Sequence, residues 1–335
     1  MKQKVLALGL SVGAFALIGC GGSGTPDVGQ VATGTIDENA TTTVVNEVIK
    51  TGFTTDDIMA KMNNDLAGDF KSIMMSDRMS KVSDRDAGYN PFDEPQVCGV
   101  SGTIEYKLVS GENPYANPNS NGSGKVVLKK IFDNCSWDGK VTEDGTKEST
   151  WNWTIADNGK TWTNKYSYTI SNFVYKIDDT HKFTVTSDIG SGKYTSKFGD
   201  NCHSSSSTNH SVMSGKLVNG DNTAEYKNIT RDRTKSEKYE AGVPTFNKKW
   251  EVSGAIKRGE FNGWVVIATP TPFEISDKDK MDDNGHYCYH AGKLTVSGKA
   301  HTVSKEVHSD HSITIKHDNN VVKEYTNCLD YKNDK

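Results

Sequence analysis

WNWTIADNGKTWTNKYSYTI, residues 151–170, is the stretch that decides the fold. Large apolar residues alternate with polar ones in both of its halves, at positions 151, 153 and 155 and at positions 166, 168 and 170. Successive side chains of a β-strand point to opposite faces, so each half is expected to form a strand with one apolar face. Asp157-Asn158-Gly159 lies between the halves and tolerates the positive φ of a tight turn. The stretch therefore predicts a β-hairpin.

The same alternation recurs from about residue 97 to the end of the chain. Further examples are Thr103–Leu108, Lys125–Leu128, Phe183–Val185, Trp264–Ile267 and Ser312–Ile315. Short polar turns separate these runs and leave no room for the helices that connect parallel strands. We therefore expect a mainly β fold of roughly twelve to sixteen antiparallel strands over residues 88–335. These strands would form one large twisted sheet, or a partly closed β-barrel or roll of duplicated β-units.

Two stretches within this β region resemble one another. A cysteine followed four residues later by glycine opens each of them, at Cys98 and at Cys288. An aromatic-x-Asn-Cys sequence closes them 37 and 40 residues later, at Cys135 and Cys328. The two stretches span about 97–136 and 287–329. We interpret them as copies of one β-unit, each closed by its own cysteine pair.

This interpretation predicts the disulfides Cys98–Cys135 and Cys288–Cys328, which an oxidising compartment outside the cytoplasm would permit. Cys202 is left without a partner, because the five cysteines that follow Cys20 cannot all pair within one chain. The alternative is that all five are small buried residues. Zinc is a weaker explanation, since the chain contains no Cys-x2-Cys pair.

The first residues of the chain have the composition of an export signal. Lys2 and Lys4 carry positive charge, and an uncharged, mostly apolar run follows from Val5 to Ile18. Such a run is shorter than the ~20 residues that span a bilayer, but it is typical of a secretory signal peptide. We therefore predict that residues 1–19 are a signal peptide.

The end of this run, Leu17-Ile18-Gly19-Cys20, resembles the lipobox of bacterial lipoproteins. The resemblance implies cleavage between Gly19 and Cys20, and acylation of Cys20 with palmitate-type chains that anchor the protein in a lipid bilayer. Several acyl chains anchor a protein far more firmly than one. Because position 21 is Gly and not Asp, the same resemblance implies sorting to the outer membrane. It leaves the mature domain unidentified.

Residues 20–40 are rich in Gly, Thr and Ser and have no apolar periodicity, so we expect a flexible tether. Within them, Asp37-Glu38-Asn39-Ala40-Thr41 resembles the acidic acceptor sequon of bacterial N-glycosylation. An Asn-x-Thr sequence also arises by chance in polar linkers, so both interpretations of Asn39 stay open.

Residues 41–87 are the one convincing helical segment. The segment contains five of the eight methionines, among them Met59, Met62 and Met74. Methionine fills irregular gaps, so these side chains are expected to pack a helix against the sheet. They would alternatively line a pocket for an apolar ligand, or bind Cu(I) through their thioethers.

Composition and charge exclude some classes of function. Hydrophobic residues make up 34% of the chain, which suits sheets with one solvated face better than a dense helical core. The formal net charge is −4, and loss of Lys2 and Lys4 with the signal would bring it to −6. A negatively charged chain is a poor ligand for nucleic acid, so we expect no nucleic-acid partner.

Six of the nine histidines lie between His286 and His317. His308 and His311 form the tightest pair and, with Asp310, would supply ligands for Zn(II) or Cu(II). In a strand these two side chains point to opposite faces, so the spacing works only in a turn. A polar, solvent-facing strand edge is the simpler interpretation, and we expect no metal centre.

Aromatic residues cluster in and near the decisive stretch, at Trp137, Trp151, Trp153, Trp162, Tyr166 and Tyr168. Such a cluster would form a surface on which a carbohydrate or peptide stacks. Cross-strand pairing of aromatic residues in the core explains the pattern equally well, and we favour the core.

The chain contains no Gly-x-Ser-x-Gly, no His-Glu-x-x-His and no phosphate-binding glycine loop. We therefore expect a non-enzymatic lipoprotein of the cell envelope, without a cofactor, that binds an unknown protein or has a structural role. The alternative is a carrier whose concave sheet and Met-rich helix enclose a small apolar ligand. That alternative rests on an architectural analogy with lipoprotein-carrying half-barrels.

Overall fold

Strands that follow one another in the chain lie side by side throughout the fold. The computed structural model describes residues 32–36, 95–111, 121–137, 139, 141–199, 202–241, 243–279 and 288–333. Within them, fourteen strands form one antiparallel sheet whose spatial order is the order of the sequence. The strands are β1 (Gln96–Val97), β2 (Ser101–Gly111), β3 (Gly122–Ser136), β4 (Thr142–Ala156), β5 (Thr161–Asp178), β6 (His181–Phe198), β7 (Cys202–Asn219), β8 (Asn222–Glu240), β9 (Val243–Arg258), β10 (Gly263–Ser276), β11 (Ala291–Ser297), β12 (Thr302–Val307), β13 (Ile313–His317) and β14 (Asn320–Tyr325). A 3₁₀ turn (Gly259–Phe261) precedes β10, and the helix α1 (Cys328–Asn333) follows β14.

The mainly β, antiparallel fold expected from the alternation is confirmed. Of the two forms considered, the structure has the open sheet, because β1 and β14 lie at opposite ends of the strand order in the described residues. The strands β3 to β10 are 14 to 19 residues long, so the longest extends about 60 Å at the rise of a β-strand. The strands β11 to β14 have five to seven residues.

The decisive stretch forms the β4–β5 hairpin. Asp157 and Asn158 both have φ of 54°, and Gly159 has φ of 85°, so the turn uses the left-handed conformation that the sequence allows. Across the hairpin Trp151 lies opposite Tyr166, and the two ring centroids are 5.1 Å apart. The aromatic residues therefore pack as a cross-strand pair.

One face of the sheet carries the core, and we call it the inner face. It bears Val126 of β3, Trp151 of β4 and Tyr168 of β5, all of them buried. Side chains between these positions, such as Asn152, are exposed on the opposite, outer face. The larger of two clusters of buried apolar side chains in the described residues extends from Ile104 of β2 to α1, and Val126 and Trp151 belong to the smaller one. Burial of this face is the main stabilising contribution.

A line of backbone irregularities crosses the sheet. The pairing register shifts at the same level between β4 and β5, between β6 and β7, between β7 and β8, and between β8 and β9. Gly145, Asn172 and Asn228 lie on this line and have φ of 127°, 51° and 50°. A bulge bends its strand and increases the local twist, so a row of bulges bends the whole sheet along one line. In β5 the buried, inward-facing residues change from Tyr168 and Ile170 to Phe173 and Tyr175 across the bulge, whereas in β4 Glu143 and Lys147 both face inward.

Two glycines of β6 make room for tyrosine rings. Gly190 lies opposite Tyr168, and Gly192 lies opposite Tyr166. A Cβ atom at Gly190 would come within 2.4 Å of the Tyr168 ring, and one at Gly192 within 2.5 Å of the Tyr166 ring. Both rings therefore lie across the neighbouring strand, which requires glycine there.

Residues 32–36 are part of the fold. The N–H groups of Thr33 and Gly34 donate to the carbonyl of Trp264 at 3.0 and 2.8 Å. Ile36 is 3% exposed and belongs to the core. The tether expected from the sequence is therefore wrong for these five residues, because their backbone groups are bonded to the sheet. The rest of residues 20–40 lies outside the described residues.

The two predicted disulfides are present near the two ends of the strand order. Cys98 and Cys135 have Cα atoms 5.5 Å apart, and those of Cys288 and Cys328 are 6.0 Å apart. Both separations fall within the range of disulfides. The side chain of Cys202 lies outside the described part of the structure.

The two disulfide-closed units differ in the number of their strands. The first contains the long strands β2 and β3, whereas the second contains the four short strands β11 to β14 and reaches α1. The two similar stretches therefore share only the disulfide that closes each unit, and they differ in the number of strands.

Several expectations fall outside the described residues. These are the helical segment 41–87 with Met59, Met62 and Met74, the lipidation site Cys20, and Asn39. Among the described residues, none of the helices has the length and apolar character that crossing a membrane requires.

We expect loss of either disulfide to destabilise the oxidised protein. The pairs enclose 37 and 40 residues of sequence separation, for which the loop-entropy model gives up to ~4 kcal/mol of unfolding free energy. Urea unfolding of the double variants Cys98→Ser/Cys135→Ser and Cys288→Ser/Cys328→Ser measures this loss. Reductant breaks both disulfides, so it should lower the urea midpoint of wild type below that of either oxidised variant. A variant with the wild-type midpoint would show that its disulfide does not stabilise the fold.

Candidate functional site

Charged side chains lie on the buried inner face, beside the line of bulges. Lys147 and Glu143 of β4 are 2% and 3% exposed, with 3.7 Å between Nζ and Oε2. The Lys147 ammonium also lies 4.4 Å from the Phe173 ring centroid and 4.7 Å from that of Phe132. Aromatic faces attract a cation, so they replace part of the hydration that this ammonium loses.

A second buried pair joins β6 and β8. Asp188 is 1% exposed and Arg231 is 6% exposed, and Nη2 of Arg231 lies 3.4 and 3.3 Å from the two carboxylate oxygens. These distances exceed the 2.7–2.9 Å of strong charge-assisted hydrogen bonds. Burial raises the pKa of Asp188, although the Arg231 charge opposes the shift. Burial, followed by the Asp188 charge, also raises the pKa of the Tyr168 phenol.

Asn164 is the most unusual polar residue of this face. It is 3% exposed, and neither Oδ1 nor Nδ2 of its amide has a hydrogen-bond partner. It lies directly opposite Trp153, whose buried indole Nε1 also has none. The neighbouring indoles differ, because Trp151 donates to Ser149 Oγ at 2.8 Å and Trp162 donates to the Gly159 carbonyl at 2.7 Å. Buried polar groups are nearly always bonded, so a pair of unbonded ones requires an explanation.

Partly exposed side chains surround Asn164 on the same face. Tyr194 of β6 lies opposite Asn164. Asn209 of β7 lies opposite Gly192, which in turn lies opposite Tyr166. The Oδ1 atom of Asn209 is buried and has no partner. Trp162 and Tyr166 flank Asn164 along β5 and are partly exposed. Burial raises the pKa of Tyr166 to about 12. We call Trp153, Trp162, Asn164, Tyr166 and Asn209 the amide–aromatic surface.

This surface combines two kinds of contact. A carboxamide offers two donors and two acceptor lone pairs, which match a pair of neighbouring hydroxyl groups. Aromatic faces are electron-rich and attract the weakly positive C–H groups of a ring that stacks on them. The arrangement therefore suits a ligand with hydroxyl groups at its edge and C–H groups on its face.

The outer face has a polar groove of about 780 Å³ near the ends of β6 to β10. Small polar side chains lie opposite one another across its floor, at Thr195, Ser206, Ser236, Asn247 and Ser276. None of the described lining side chains has a buried polar atom without a partner. The groove therefore lacks the buried polar atoms without a partner that distinguish the inner face.

Two Ser–His groups resemble parts of a nucleophilic site. Ser196 Oγ lies 2.9 Å from His203 Nε2, but no carboxylate of the described residues contacts the other ring nitrogen. Ser276 Oγ donates to Asp279 at 3.0 Å, and His290 Nδ1 lies 2.8 Å from the same oxygen. The serine and the histidine therefore both bind the carboxylate and not each other. Neither group forms the Ser-His-Asp relay that activates a hydroxyl.

His308 and His311 lie in a turn, the one arrangement in which their spacing would allow a shared ligand. The N–H of His311 donates to the His308 carbonyl at 2.8 Å, and φ of His311 is 69°. Their rings nevertheless bind elsewhere, because His308 Nε2 lies 2.9 Å from Thr314 Oγ1 and His311 Nδ1 lies 3.0 Å from the Tyr289 carbonyl. The structure does not bring these two imidazoles together.

Sequence reasoning located part of the amide–aromatic surface. Trp151, Trp153, Tyr166 and Tyr168 share one face as expected, whereas Trp137 is 50% exposed at the far end of β3. Asn164 was missed, although it alternates in step with the apolar residues of its strand.

No protein-family model matches this chain, and no curated protein or solved structure matches it.

Changing Asp188 to Asn removes the buried negative charge and keeps the side-chain shape. The raised pKa of Asp188 means that the folded protein keeps this proton to higher pH than the unfolded chain does. Wild-type stability should therefore fall as the pH rises above about 4. We expect Asp188→Asn to lack this fall and to be at least as stable as wild type near pH ~7, by urea unfolding.

Asp232→Asn is the matched control. Asp232 is exposed next to Arg231 and pairs with His210 at 2.8 Å, so its loss should cost at most ~1 kcal/mol. A loss of ~3–5 kcal/mol in Asp188→Asn would contradict the prediction, since that is the cost of leaving a buried cation without its counter-ion.

Proposed function

We propose that this protein is a membrane-anchored lipoprotein of the cell envelope that has no enzymatic role. It binds a hydroxyl-rich ligand of the carbohydrate class through the amide–aromatic surface. The unbonded, buried amide of Asn164, which lies opposite Trp153 in the β4–β5 pairing, is the observation that carries the binding role.

The envelope location is supported by two independent features. The lipobox-like sequence that ends at Cys20 would be read by the export and acylation machinery. The disulfides Cys98–Cys135 and Cys288–Cys328 suit an oxidising compartment, because thiols remain reduced in most cytosols. Both features are consistent with an anchor in the outer membrane.

The binding role follows from the cost of Asn164. A buried donor or acceptor without a partner costs ~1–3 kcal/mol of stability, and an apolar residue of similar size would not carry this penalty. The Asn164 amide has neither its donor nor its acceptor bonded. A ligand with neighbouring hydroxyl groups would bond both, while Trp162 and Tyr166 supply faces for its C–H groups.

A carrier of an apolar ligand is the less supported alternative. The inner face buries Lys147, Glu143, Asp188 and Arg231 among the described residues. An apolar ligand against these groups would exclude water without supplying hydrogen bonds, which is unfavourable for charged side chains. These buried charged groups on an otherwise apolar face favour a polar ligand.

Asn164→Leu tests the binding site with simple sugars as the probes. The variant should be more stable than wild type by about 1 kcal/mol, because it removes an unbonded buried amide. It should also lose binding of monosaccharides with vicinal hydroxyls (glucose, galactose and N-acetylglucosamine), measured by tryptophan fluorescence and calorimetry. Urea unfolding measures the stability.

Asn152→Leu is the control, because Asn152 adjoins Trp153 but is exposed on the outer face. It should change neither stability nor binding. If Asn164→Leu is clearly less stable than wild type, the amide has a structural role and the proposed site is wrong. If the variant is more stable but wild type binds none of the sugars, a buried water explains the amide and the carbohydrate ligand is excluded.

The membrane anchor has a separate test. Expressed with its signal in a diderm bacterium, the wild type should be found in the membrane fraction with a mass that corresponds to an acylated chain starting at Cys20. Cys20→Ala should keep residues 1–19 and carry no acyl chains. A wild-type protein that leaves the membrane fraction without detergent would contradict the anchor.

A further inference from the structure

Three metal-ligating side chains meet at the end of the β12–β13–β14 unit. His301 immediately precedes β12, His317 is the last residue of β13, and Asp318 follows it in the turn to β14. One potential ligand atom from each lies within 4.8 Å of the other two. The sequence separates His301 from the others by sixteen residues or more, and the antiparallel pairing of β12 and β13 brings them together.

The two imidazoles converge on one carboxylate oxygen. His301 Nδ1 lies 2.6 Å from Asp318 Oδ2, and His317 Nδ1 lies 3.7 Å from the same atom. In a tetrahedral zinc site with Zn–N and Zn–O bonds of ~2.0–2.1 Å, neighbouring ligand atoms lie about 3.3 Å apart. The two observed separations bracket this value, so small rotations of the exposed His301 side chain would open space for an ion.

Backbone contacts hold the carboxylate in place. Asp318 Oδ1 accepts from the N–H of Thr302 at 2.8 Å, and the N–H of Asp318 donates to the Thr302 carbonyl at 2.8 Å. Such contacts orient the carboxylates that ligate metals. Oδ2 therefore remains directed at the two rings and is available to a cation.

His317 supplies an independent observation. It is 6% exposed, and neither of its ring nitrogens makes a hydrogen bond within 3.5 Å; Nε2 is fully buried, and Nδ1 faces the Asp318 oxygen. Its ring packs against that of His301 with centroids 5.0 Å apart. A buried imidazole normally binds a partner through at least one nitrogen. An ion between His301, His317 and Asp318 would be the partner of His317 Nδ1, the ring nitrogen that faces the carboxylate.

We propose that His301, His317 and Asp318 bind a divalent transition-metal ion of the Zn(II) class. Two imidazoles and one carboxylate are ligands that Zn(II) accepts, and Cu(II) would bind the same donors more tightly. Three protein ligands leave a fourth position to water or to a group of a binding partner. The site lies in the disulfide-closed C-terminal unit and does not depend on the amide–aromatic surface.

Calorimetric titration of the detergent-solubilised full-length protein with Zn²⁺ alone tests the site. Wild type should bind one ion, and bound zinc should raise the thermal unfolding midpoint, because the ion binds the folded state. Asp318→Asn should weaken binding at least tenfold while keeping the fold, since asparagine tolerates the φ of 48° and still accepts from Thr302. His301→Ala, at an exposed position, should have the same effect.

His210→Ala is the matched control, because His210 and Asp232 form an exposed His–carboxylate pair that lacks a second imidazole. It should leave the zinc affinity of the protein unchanged. The proposal is overturned if Asp318→Asn and His301→Ala bind zinc as wild type does. It is also overturned if Co²⁺, used as the spectroscopic probe, gives wild type and Asp318→Asn the same visible spectrum.

Discussion

A single sheet of fourteen antiparallel strands has one apolar face, and the need to bury that face governs the rest of this structure. The sheet has no second layer of strands within the described residues, so its own shape must provide much of the burial. The line of bulges through Gly145, Asn172 and Asn228 bends the sheet, and the bend helps to bury the apolar face. Glycines at 190 and 192 allow tyrosine rings to cover the neighbouring strand, which packs the face more closely.

The edges of such a sheet require protection, because unpaired edge strands invite pairing with other chains. One disulfide closes the unit next to each edge, and the strands there are short or covered. β1 has two residues, while β14 is followed by α1, where Tyr331 packs on Tyr325 with ring centroids 5.2 Å apart. The two cysteine pairs therefore stabilise the parts of the sheet that have the fewest neighbours.

Polar groups on the buried face carry most of the functional information. Asp188 and Arg231 are held at distances too long for a strong pair, and the Asn164 amide has no partner. Both features lower stability relative to an apolar core of the same shape. The exposed outer face contains many more polar residues, but they face solvent, so their presence does not indicate a binding site. On this reasoning, carbohydrate binding is assigned to the inner face. A metal ion is assigned to His317, a buried histidine whose Nδ1 faces the Asp318 carboxylate without a hydrogen bond.

Period-two alternation and turn residues determined the antiparallel sheet and the approximate strand number, because both depend on short-range geometry. The two disulfides followed instead from the repeated cysteine-bounded stretch, whose cysteines are 37 and 40 residues apart. The inner face of β6 was harder to derive, since its bulge moves inward-facing positions from Phe183 and Val185 to Asp188 and Gly190. Sequence also could not bring His301 to His317, because the register between β12 and β13 decides that contact. The tertiary structure decided the candidate sites for the same reason: residues far apart in the chain meet only when neighbouring strands are aligned.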